Sequence, residues 1–75
     1  SVTREAFIER LTQEKDPLVR DVILFGLSRH ATIEDQAALK AAHKALEKER
    51  KEGSTDITLK GTIYSLELMI AGLHS

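Results

Sequence analysis

Lysines recur along one stretch of this chain at a spacing that could follow a phosphate backbone. Lys40, Lys44 and Lys48 stand at four-residue intervals, and Lys51 continues the line. On an α-helix this spacing puts them on one side, where each ammonium that reaches a phosphate displaces a counterion. His43 and Arg50 lie nearby, while Glu47, Glu49 and Glu52 interrupt the field. Glu47 can pair with Lys51, and Lys40 or Lys44 with acids a turn away, so the competing reading is a solvated helix face. No arginine-rich set for reading bases is evident. With two Phe, one Tyr and no Trp, the chain has no stacking platform for single strands. Residues 28–46 also lack the glycine turn of a helix-turn-helix. Nucleic acid is therefore the second choice of partner, through Lys40, Lys44, Lys48 and Lys51.

Metal or catalytic chemistry has less to stand on. His43 and Glu47 are one helical turn apart and could share an ion, but two ligands are too few for a structural zinc site. There is no H-E-x-x-H pattern. Ser28, His30 and Asp35 are close in sequence without a nucleophile elbow or a glycine-rich oxyanion loop. His30 closes a helical segment, where a cation suits the helix dipole, and His74 is at the tail. No catalytic residue, metal or cofactor is expected, and the chain reads as non-enzymatic.

The scaffold that must position these residues is small. Its 75 residues are 41% hydrophobic and 31% charged, with net charge −1 and no Cys. Disulfides and thiolate metal sites are excluded. A domain of this size buries only about 60% of its unfolded surface, so its core gains from an aid such as self-association. Charge-free stretches such as 22–28 reach only about seven residues, against the roughly 20 of a membrane span. The N-terminal residues carry acids and no apolar run, unlike a secretory signal. A cytoplasmic location and no membrane partner are expected. Because the sequence starts at Ser1, a helical fragment of a larger protein is a further reading.

Helical segments are expected at about 4–15, 17–29, 33–51 and from a Ser54 or Asp56 cap to about residue 73, with no strand. Thr3, Asp16 before Pro17, and Thr32 supply the other starts. Val2 and Phe7 occupy the positions of a hydrophobic staple, and Gly53 supplies a left-handed stop. The second segment is apolar almost all round, which predicts a buried helix, with Gly26 compensated by close approach of a neighbouring backbone. Arg20 on that segment is expected to carry its head to water or to pair with Asp16. The third segment is lined with alanine on its apolar side.

The fourth segment is apolar on two sides. Leu59, Ile63, Leu66, Ile70 and Leu73 line one, at spacings of four and three. Ile57, Gly61, Tyr64, Leu68 and Ala71 fall opposite. The regular stripe suits the core, which leaves Ile57, Gly61, Tyr64 and Leu68 as a partner interface. The expected fold is an all-α, small antiparallel bundle of three to four helices that associates as a homodimer. Its second and fourth helices form the centre, and the first and third cover them. The expected function is a protein-interaction or oligomerisation module, whose partner is another chain or a second copy.

Overall fold

The helix starts follow the cap chemistry. A computed structural model describes residues 3–74. The helices are α1 (Arg4–Gln13), α2 (Pro17–His30), α3 (Gln36–Lys51) and α4 (Leu59–Ala71), with a 3-10 turn, Ile33–Asp35, leading into α3. The Thr3 side chain accepts from the Ala6 amide, and the Asp16 carboxylate from the Leu18 amide. Thr32 and Asp35 close a reciprocal capping box, which tightens the entry to α3 into the 3-10 turn. Gly53 ends the α3 connection at φ 93°, a conformation that suits glycine. Asp56 accepts from both the amide and the hydroxyl of Thr58, so α4 starts at Leu59 and Ile57 precedes the helix rather than lying on it. The Val2–Phe7 staple involves a residue outside those described.

One apolar core joins all four helices. Ile8 and Leu11 enter it from α1, Ile23, Leu24 and Leu27 from α2, Leu39, Ala42 and Leu46 from α3, and Leu59, Ile63 and Leu66 from α4. The regular stripe of α4 is thus the buried one, with Ile70 and Leu73 packed at its margin. No helix is long and apolar enough to cross a membrane among the described residues.

Spatial neighbours are only partly sequence neighbours. Both α2 and α3 pack on α1 and α4, but only marginally on each other, so they stand across the core from one another. Arg4 pairs with Asp35 at one end, and Lys15 with Glu49 at the other, so α1 and α3 run side by side in the same direction. Arg20 meets Asp56 near the starts of α2 and α4, and Ser28 borders a groove with Leu68 near their ends, so this pair is also parallel. Consecutive helices alternate in direction as expected; two of the four lateral pairings do not.

The helix expected to be most buried is the one that leaves the most large apolar side chains in water. α2 exposes Leu18 (73%), Val22 (72%) and Phe25 (65%), whereas α3 buries Leu39, Ala42 and Leu46 almost completely. The centre is therefore not α2 with α4. The physical reason is Arg20: it points inward at 1% exposure, which turns the apolar residues on the other side of α2 outward. Gly26 is not closely approached either, since a Cβ there would meet nothing within 4 Å.

Candidate interaction surface

Arg20 fixes the orientation of α2. Its Nε donates to the Glu14 carbonyl at 2.8 Å, and its Nη1 to Asp56 at 2.6 Å. The Glu49 carboxylate lies 3.8 Å from Nη2 and also accepts from Lys15 at 2.6 Å. One guanidinium thus ties the α1–α2 link, the end of α3 and the turn before α4. Neither expected state of Arg20 occurs: the head is not in water, and its partners are not Asp16. No buried side-chain nitrogen or oxygen lacks a hydrogen bond among the described residues. Asp56 has its carboxyl pKa held below the usual range, first by the Thr58 hydroxyl and amide and then by Arg20. The Glu14 pKa is lowered chiefly by the Asp16 amide, and that of Asp35 by the Thr32 amide and then Arg4.

With Arg20 turned in, α2 presents a stripe outward. Leu18, Val22, Phe25 and Arg29 follow one another at spacings of four, three and four, which lines one side of the helix. The Arg29 guanidinium carbon lies 5.8 Å from the centre of the Phe25 ring, within cation–π range. Two grooves flank the stripe. Towards α1, a groove of about 430 Å³ is walled by Phe7 and Val22, with Gly26 in its lining and His30 and Arg4 at its margin. Towards α4, a groove of about 540 Å³ lies between Phe25 and Leu68. The apolar surface therefore continues from α1 across α2 to α4.

The residues named from sequence for a partner interface are all exposed. Ile57 is 94% exposed, and Gly61, Tyr64 and Leu68 share the outer side of α4. Leu68 is the member that reaches the α2 stripe, through the shared groove. Sequence reasoning missed Leu18, Val22 and Phe25 as surface residues. The signal was present in their spacing, but the inward arginine was read as outward and hid it.

The lysine row is exposed along α3, across the core from α2. Two of the three glutamates expected to interrupt it, Glu47 and Glu49, are otherwise engaged, while Glu52 is exposed beside it. Glu47 accepts from Arg50 at 2.9 Å, not from Lys51, and Glu49 serves Lys15 and Arg20. Arg50 lowers the Glu47 pKa, and its own is raised in return. Lys40, Lys44, Lys48 and Lys51 have no ion-pair partner among the described residues. His43 lies 3.1 Å from Glu67 of α4 rather than sharing an ion with Glu47. No group of three or more His, Asp or Glu is arranged to hold a metal among the described residues. Ser28 donates to the Phe25 carbonyl, a local helix contact, and Asp35 is used by Thr32 and Arg4. No family model, curated protein or solved structure matches this chain.

Proposed function

We propose that this chain is a protein-interaction module that binds a partner chain, or a second copy of itself, by covering the outer face of α2 and the adjoining edge of α4. The observation that carries this reading is the exposure of Leu18, Val22 and Phe25 beside a core that is already filled and polar-satisfied without them. Fully hiding each such side chain yields about 1.5–3 kcal/mol. Three of them with Phe7 and Leu68 can offset an association cost at the lower end of the roughly 4–15 kcal/mol range. Tyr64 stands one turn before Leu68 on the outer side of α4, where its hydroxyl stays wet at the rim of this surface, and Gly61 and Ile57 lie further from it, Ile57 ahead of the helix.

A second reading, a nucleic-acid-binding regulator, is favoured by one observation: the four α3 lysines form no ion pair among the described residues, while Glu47 and Glu49 pair with other cations. A dimer formed through α2 would point its two lysine rows away from each other, since α3 lies across each core from α2. Such a dimer does not double the charge on one side of a duplex.

One experiment addresses both readings. A photo-reactive residue is placed at Val22, at Leu68 or at Lys44 in the full chain, and the cells are irradiated. Protein adducts are expected at positions 22 and 68 and not at 44. Absence of protein adducts at both apolar positions would overturn the interaction reading, and nucleic-acid adducts confined to position 44 would replace it with the second.

A further inference from the structure

We infer that the occupant of the α2 face is a second copy of this chain, its α2 lying antiparallel to the first about a two-fold axis at Phe25. This inference rests on the interaction reading above and names its partner.

The argument comes from charge placed symmetrically about an aromatic ring. Asp21, Phe25 and Arg29 stand at four-residue intervals along one ridge of α2, all exposed. Neither Asp21 nor Arg29 has an ion-pair partner among the described residues. They lie about 12 Å apart along the helix, one on each side of the ring. An axis through Phe25 sets the two rings against each other and places each Asp21 beside Arg29 of the second copy. Val22 of each copy then lies beside Ser28 of the other on either side of the rings, and Leu18 falls near the end of the other copy's α2. The Arg29 guanidinium, held near its own Phe25 ring, is turned along the ridge rather than away from it. The opposite, parallel arrangement sets Asp21 against Asp21, Arg29 against Arg29 and aligned helix dipoles side by side, all repulsive. A ridge with a ring in the middle, an acid on one side of it and a base on the other complements itself in only one of these two arrangements.

The test uses the purified full chain, Asp21→Arg, Arg29→Asp and the double variant, with molar mass measured by light scattering over a micromolar concentration series. Both positions are exposed, and circular dichroism checks that the variants remain folded. The parent is expected to be a dimer. Each single variant sets like charges together at two places and should raise the dimer dissociation constant about tenfold. The double variant should recover the parent's value. So should an equimolar mixture of the two single variants, because in an antiparallel pair the arginine at position 21 of one chain meets the aspartate at position 29 of the other. A monomeric parent overturns the inference. So does a dimer insensitive to either single variant, or a mixture no tighter than its components. A monomeric parent that still gives protein adducts at position 22 loses only the self-partner, whereas loss of those adducts removes the interaction reading itself.

Discussion

α2 and α3 stand across one core, and each carries an outward row at helical spacing, yet the rows are opposite in kind. On α3 the outward side holds Lys40, Lys44, Lys48 and Lys51, and the inward side Leu39, Ala42 and Leu46. On α2 the outward side holds Leu18, Val22 and Phe25, and the inward side includes Arg20 beside Ile23, Leu24 and Leu27. α3 is a helix whose burial follows hydropathy. α2 buries a guanidinium with three partners beside its aliphatic residues, and keeps further apolar residues outside. Two helices of one bundle can therefore be solvated by different rules, and the one that breaks the simple rule is the one with surface to spare for a partner.

The sharpest way to break this contrast is to shorten equivalent apolar residues on the two helices. Leu46→Ala on α3 leaves a hole in a fully covered site and should cost about 2–5 kcal/mol. Val22→Ala on α2 should stay within about 0.5 kcal/mol in a dilute, monomeric sample, because the side chain is mostly in water. Urea unfolding measures both. If the two costs came out equal, α2 would be buried as its sequence suggests, and the proposed surface would not exist.

A second test removes what orients α2. Arg20→Ala leaves Asp56 and the Glu14 carbonyl without this donor and Glu49 with Lys15 alone, and it should cost about 2–3 kcal/mol, since the acids keep some contact with water. Acid should loosen the same site through Asp56 and Glu14 without mutation, and other contacts of the fold through Asp35 and Glu47. Glu14, Asp35, Glu47 and Asp56 all have pKa values lowered in the folded chain. Their stabilising contribution is complete above the unfolded carboxylate pKa of about 4 and is lost as pH falls through the lower folded values. Thermal melts should be flat from neutral pH down to about 5 and should fall below about pH 4. Arg20→Ala should show a smaller acid loss than the parent. An equal loss in both would detach Asp56 from this arginine.

How much of this was legible in the sequence divides along the same line. Thr3, Asp16 and Thr32 act through side chain-to-amide contacts within a few residues, so short-range chemistry gave their positions. The Leu59, Ile63 and Leu66 stripe showed its burial through spacing alone. Arg20 could not be read that way. Its partners Asp56 and Glu49 are far off in sequence, and only the folded chain brings them to one point. An arginine on an apolar helix most often sends its head to water; here long-range pairing inverted the helix. The same applies to the lysine row. Its spacing was plain, but whether Glu47 and Glu49 shield it depended on Arg50, Lys15 and Arg20 claiming them.

The smallest expected effect separates fold from association on the apolar surface. Gly26 of α2 and Gly61 of α4 both sit inside helices, and a Cβ at either would meet nothing within 4 Å in the single chain. Each glycine therefore carries helix entropy that the chain's own packing does not require, and Gly→Ala at either should stabilise the monomer by about 0.5–1 kcal/mol. For a domain of this size that is a rise in Tm of a few degrees. The two sites should part company once copies meet. Gly26 adjoins Phe25, the residue placed on the two-fold axis, so a methyl group there intrudes where the backbones of two α2 helices come nearest. Gly61 lies away from that axis. Gly26→Ala should thus raise Tm and weaken the dimer in sedimentation or light scattering, while Gly61→Ala should raise Tm and leave the mass unchanged. Destabilisation of the monomer by Gly26→Ala would mean that α2 is closely packed after all. Equal association for both variants would move the seam off Phe25, while leaving the contrast between the apolar and lysine faces intact.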